Sequence, residues 1–155
     1  MRGARLSSHL WRSTDVGRLD IHRCSVFRHS VTGKVAPCYL MVDGKLEHRN
    51  MSPAFATNDS ELELRAVLEG QVIGQLASYS AASHIRAGRL VPVLVKHMSA
   101  HIGLHVYYGS RAAQPKRVRA FLDLAFARLH DSSEYVLCAK ELLRFHARGK
   151  RARDD

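Results

Sequence analysis

Aromatic residues make up only 7% of the chain, and there is a single tryptophan. No apolar run approaches the roughly 20 residues needed to cross a bilayer as a helix, which excludes a helical membrane anchor on pattern. The three cysteines, Cys24, Cys38 and Cys138, include no C-x-x-C pair. An odd count argues against a complete disulfide framework and predicts buried thiols in a reducing cytoplasm. Acidic residues number 14 against 24 lysines and arginines, and they are dispersed, with no pair suited to general acid-base work. Neither Ser30 nor Ser110 has the G-x-S-x-G setting of a nucleophile elbow. The segment GQVIGQL lacks the lysine-serine ending of a phosphate loop. The opening stretch MRGARLSSHLWRS is basic but has no apolar centre suited to a secretory signal. Residues 1–14 are therefore read as an irregular basic extension.

Two positive features invite chemistry and fail to sustain it. His97, His101 and His105 recur every fourth residue, a spacing that aligns imidazoles on one helix face and would suit zinc. Gly103 interrupts that stretch, and His105 falls in a strand-like run, so the histidines are read as unrelated. The formal charge of +10 suggests a polyanionic partner. The excess gathers near the two ends, at Arg2, Arg5, Arg12, Arg18 and Arg23 and again at Arg144, Arg148, Lys150, Arg151 and Arg153. No stacking aromatics interleave with it, so the expectation is solvated tails with weak, salt-sensitive attraction to DNA. No catalytic residue, metal or cofactor is assigned.

What remains is organised around residues 58–94, NDSELELRAVLEGQVIGQLASYSAASHIRAGRLVPVL. Asn58 with Glu61 three residues on forms a capping-box pattern, and Leu64, Val67 and Leu68 fall at helical spacing before Gly70 stops the helix. Val72, Ile73 and Leu76 read as a short buried strand, residues 79–87 as a helix stopped by Gly88, and residues 89–94 as another strand. Upstream, residues 21–27 and 35–42 read as strands, Asp43-Gly44 as a hairpin turn and residues 45–49 as the return strand. Downstream, residues 104–108 read as a strand. Pro115 opens a helix with an apolar stripe at Val118, Phe121, Leu122, Ala125, Phe126 and Leu129, and residues 133–147 form a final helix. Helices alternating with short buried strands predict an α/β fold.

These residues resemble the effector-binding domain of LysR-type transcriptional regulators. AVLEGQVIGQL and AGRLVPVL are similar to that family's helix-to-strand segments, and GLHVYYGSRAAQPKRVRAFLDLAFARL to its strand, loop and R-x-F-[IL]-D helix. LDIHRCSVFRHSVTGKVAPCYLMVDGK is similar to the segment that begins the family's second lobe. The resemblance covers residues 15–129. It implies a type II periplasmic-binding-protein-like fold with a mixed sheet flanked by helices. It implies residues 15–95 as an incomplete second lobe and residues 104–129 as the strand and helix returning to the first; residues 131–155, a further helix and basic tail, have no counterpart in it. It also implies that the winged helix-turn-helix and most of the first lobe are not in this chain, leaving the helix opened by Pro115 with an apolar surface short of its usual sheet.

The function implied is sensing a small, anionic metabolite, with no enzymatic activity, in a cytoplasmic regulator that is homo-oligomeric when intact. DNA is engaged only through the winged helix-turn-helix, and no membrane partner is expected. The implied ligand residues are Arg28, His29, Ser30 and Thr32 in the loop after the lobe's first strand, Thr57 and Asn58 at a strand-to-helix junction, and Gln75. Each has an ordinary alternative: Asn58 as a helix cap, Arg28 as a solvated loop residue, Ser30 and Thr32 as turn formers, Gln75 as a partner for a backbone group. The competing functions are a free-standing small-molecule binding module of the periplasmic type and a non-functional truncated remnant.

Overall fold

Cys24 and Val26 point one way along an extended segment and Ser25 the other, and all three are buried. That two-sided burial is the mark of a parallel strand covered on both faces. A computed structural model describes residues 1–3, 16–99, 106–109, 115–130 and 132–154. After β1 (Arg2–Gly3) and a 3-10 turn (Val16–Ile21) comes β2 (Ser25–Phe27), which carries this alternation. β3 (Cys38–Val42) and β4 (Lys45–Arg49) follow, then β5 (Phe55–Thr57), α1 (Ser60–Leu68), α2 (Ser78–Arg86) and β6 (Leu90–Val91). A 3-10 turn (Val95–His97), α3 (Lys116–Leu129) and α4 (Ala139–Asp154) complete the order.

β2 pairs in parallel with β5, Val26 opposite Ala56. On its other side Cys24 bridges in parallel to Ile73. The strand predicted on Val72, Ile73 and Leu76 is thus a single bridge, because Gln75 turns aside to bond the hairpin instead of extending the ladder. β3 and β4 form an antiparallel hairpin with Tyr39 opposite His48, their rings meeting edge to face at 4.9 Å. Asp43 and Gly44 both have positive φ, as the predicted two-residue turn requires. β1 pairs antiparallel with β6. The expected mixed sheet is therefore three two-stranded pieces, with isolated bridges from Cys24 to Ile73, Arg28 to Val35 and Leu40 to Met98.

Two apolar clusters flank the β2–β5 pair. One gathers Val16, Leu19, Cys24, Val26, Leu40, Met51 and Ile73 beneath the hairpin. The other gathers Leu64 and Val67 of α1, Val72, Ala81 and Ile85 of α2, and Leu90 of β6. Ala81 and Ala82 are fully or almost fully buried, so small side chains let α2 lie close against its neighbours. Gly70 and Gly88, both at positive φ, follow α1 and α2 as the sequence predicts.

Several boundaries move. Ile21 ends the 3-10 turn and is 64% exposed, so the first parallel strand is shorter than residues 21–27. The strand expected at 35–42 begins at Cys38, and that expected at 89–94 is Leu90–Val91. Residues 106–108 are not strand, and residues 104 and 105 lie outside the described residues. α3 forms where its periodicity places it, yet only Leu122 of its apolar stripe is buried; Phe121, Phe126 and Leu129 are exposed. The last helix starts at Ala139 because Ser132 holds Tyr135 and Val136 in a tight turn through its carbonyl, which delays helical propagation. Of the thiols, Cys24 is buried as expected, Cys38 partly buried and Cys138 exposed.

Candidate functional site

Open parallel sheets bind ligands outside the carboxyl ends of their strands, where successive strand-to-helix turns converge. Here those ends belong to β2, β5 and the segment leaving Ile73. The Arg28 backbone N–H donates to the Thr57 carbonyl at 2.6 Å, so the loop after β2 and the start of α1 are tied side by side. Gly33, at φ +66°, closes the loop: its N–H donates to the His29 carbonyl, and the His29 N–H donates to Lys34. Arg28 lies over this turn and donates one Nη1 hydrogen bond to the Gly33 carbonyl at 2.8 Å.

The seven residues expected at a ligand divide by what they already do. Arg28, His29, Ser30 and Asn58 are exposed at these strand ends. Arg28 keeps Nε and Nη2 without a protein partner among the described residues. Thr32 accepts from the Lys34 N–H within the turn. Thr57 is buried, and its Oγ1 accepts from the Asp59 N–H at 3.0 Å. Gln75 is exposed, and its amide makes two hydrogen bonds to Tyr39, accepting from its N–H at 3.0 Å and donating to its carbonyl at 2.6 Å. It acts as a one-residue strand pairing that pins the hairpin to the segment after Ile73.

Asn58 does not cap α1. Asp59 does, its Oδ1 accepting from the N–H groups of Glu61 and Leu62. In the run Asn58-Asp59-Ser60 every residue is a competent cap, so local pattern could not choose among them. The carboxylate of Asp59 also answers the positive end of the helix itself, so the positive charge at these strand ends comes from side chains of the loop, Arg28 and Lys34.

Sequence reasoning missed the buried pair beneath. Ser25 Oγ donates to Glu63 Oε1 at 2.6 Å, with both residues under 10% exposed. Burial pushes the Glu63 carboxyl above its ordinary range, against a smaller opposing effect of the Ser25 hydrogen bond. Gly74 lies against this pair, and a Cβ there would stand 2.8 Å from both Ser25 Oγ and Val67 Cγ2. Burial also pushes the Cys24 thiol up to about 11, so it is a protonated core group near neutral pH. Among the described residues no cluster of three or more histidine, cysteine or acidic side chains could hold a metal; His101 and His105 lie outside them. No helix among the described residues is long and apolar enough to cross a membrane.

Residues 22–129 match the family model described as the LysR substrate binding domain. The chain belongs to the LysR substrate-binding domain family. It is also 33% identical over 102 residues to the uncharacterized HTH-type transcriptional regulator YcaN of Escherichia coli (strain K12), a match covering 66% of this chain and 32% of that protein. The chain thus spans about a third of the length of the curated relative it matches. The LysR substrate-binding domain is a type II periplasmic-binding-protein-like fold, in keeping with the parallel β2–β5 pair and its flanking helices. The family match ends at residue 129, so α4 and the turn before it lie beyond it.

Proposed function

We propose that this LysR substrate-binding domain senses a small anionic metabolite at the carboxyl ends of β2 and β5, held by Arg28 with His29, Ser30 and Asn58. The observation that carries the reading is the pairing of Arg28 N–H with the Thr57 carbonyl, which sets a half-used guanidinium beside an uncommitted amide. A guanidinium whose Nε and Nη2 are open suits a carboxylate, and the hydroxyl and amide nearby suit its polar substituents. Thr57, Thr32 and Gln75, expected as ligand residues, act in this reading as supports for the backbone around the site. The role is binding, not catalysis. In an intact, homo-oligomeric cytoplasmic regulator, ligand would bias closure between two lobes and so the regulator's arrangement on DNA.

The test is a thermal-shift screen of small mono- and dicarboxylates, followed by calorimetry on the hits. Arg28→Ala should weaken binding of a hit by about 10- to 100-fold, as loss of a charge-assisted pair of roughly 1.5–3 kcal/mol implies. Gln75→Ala should lower the melting temperature with little change in affinity once folded protein is compared. Carboxylate binding that is indifferent to both Arg28→Ala and Asn58→Ala would overturn the placement of the site.

A further inference from the structure

The C-terminal basic tract begins on a helix that docks on the domain through one face. α4 is AKELLRFHARGKRARD, with six lysines and arginines against two acids. Its inner face is fixed. Glu141 receives two hydrogen bonds from Arg86, at 2.7 and 3.1 Å. Leu142 and Phe145 pack on the α1–α2 cluster, and the His146 ring bonds the Pro92 carbonyl through Nδ1 at 2.9 Å. Lys140 and Arg144 are exposed. The register of the helix, about 100° per residue, sets the positions of Lys140, Arg144, Arg148 and Arg151 within roughly 80° of arc, on the side opposite the positions of Leu142 and His146 and with that of Glu141 at its edge. One of the two acids, Glu141, is hydrogen-bonded to Arg86 and offsets part of the charge of Arg144, which leaves the row strongly basic.

We propose that this face of α4 is a sequence-independent docking surface for the phosphate backbone of nucleic acid, built from the positions of Lys140, Arg144, Arg148 and Arg151. Cations every fourth residue recur at about 6 Å along the axis. A duplex strand offers a phosphate about every 3.4 Å of rise, so a row of four can neutralise several phosphates without reading a base. A membrane surface is the weaker match. An interfacial helix needs an apolar face to bury in lipid, and here Leu142 and Phe145 are packed on the domain. The surface lies outside the family-matched residues and shares none with the ligand site, so it stands or falls independently of the effector reading.

The experiment is fluorescence anisotropy of the full chain with a labelled random-sequence DNA duplex, from about 50 to 200 mM salt, beside sedimentation with phosphatidylserine vesicles. About four neutralised phosphates predict roughly a hundredfold weakening across that range. Replacing Lys140, Arg144, Arg148 and Arg151 by Gln should abolish most of the affinity and lower the log–log salt slope by about three to four. The same number of glutamines at Lys116, Arg117, Arg119 and Arg128 of α3 controls for bulk charge and should leave most of the binding. Arg144→Lys, Arg148→Lys and Arg151→Lys together should retain it, which separates loss of charge from loss of helix. Equal losses in the α3 and α4 glutamine variants, an unchanged slope in the α4 variant, or vesicle binding without duplex binding would each overturn the proposal.

Discussion

Asn58 and Asp59 are neighbours with opposite assignments. Asp59 accepts two of the first N–H groups of α1, while Asn58 is exposed beside the Arg28 loop. Asp59→Ala should therefore destabilise the domain by about 1 kcal/mol. Asn58→Ala should leave the denaturation midpoint close to wild type and change only ligand affinity. Chemical melts of the two variants decide between the assignments, and a larger loss from Asn58→Ala would reverse them. Glu63 provides a second test at this scale. Its carboxyl holds its proton in the folded protein to higher pH than in the unfolded chain. Its contribution to stability is thus complete at acid pH, below the ordinary carboxylate range, and declines as pH rises from that range through the raised value. Glu63→Gln should flatten this decline while keeping a partner for Ser25, so denaturant melts between about pH 4 and 7 should show the variant gaining on wild type as pH rises.

At the scale of elements, α4 depends on one arginine. Arg86 ends α2 and donates to both Glu141 oxygens, to the Glu134 carbonyl at 2.7 Å and to the Val136 carbonyl at 3.1 Å. The pair is partly exposed, which weakens its Coulomb term, but the two carbonyls give the guanidinium a bonding set that water replaces only with loss of the turn. Arg86→Ala should cost about 1–3 kcal/mol and reduce far-ultraviolet helicity as α4 frays. A double variant, Arg86→Glu with Glu141→Arg, should recover only part, because it restores the ion pair and not the carbonyl bonds. The Arg86 hydrogen bond holds the Glu141 carboxyl below its ordinary range. The docking contribution is thus present at neutral pH and lost as pH falls below that range.

Over the whole molecule, the first two-thirds and the last third are built differently. Residues 16–99 carry two clusters of buried side chains around one parallel strand pair. α3 has the right period for a buried helix, yet Phe121 is 66% and Leu124 59% exposed. Period is a property of the helix alone, whereas burial needs a second surface, so sequence could name the stripe without saying what covers it. α4 is the reverse case. Its strongly basic composition reads as a solvated tail, and the contacts that order it come from Arg86 and Pro92, more than 50 positions away in the chain.

The local rules were enough to determine the α/β alternation, the Asp43-Gly44 hairpin and the glycine stops after α1 and α2, because each depends on residues within a turn or two of one another. Which of three adjacent cap-capable residues closes α1, that the Gln75 amide bonds Tyr39, and that Ser25 meets Glu63 in the interior were decided by tertiary structure alone. Those outcomes are set by pairings between residues 36 to 38 positions apart, or by the exact path of the chain leaving β5, and neither leaves a periodic trace in the sequence.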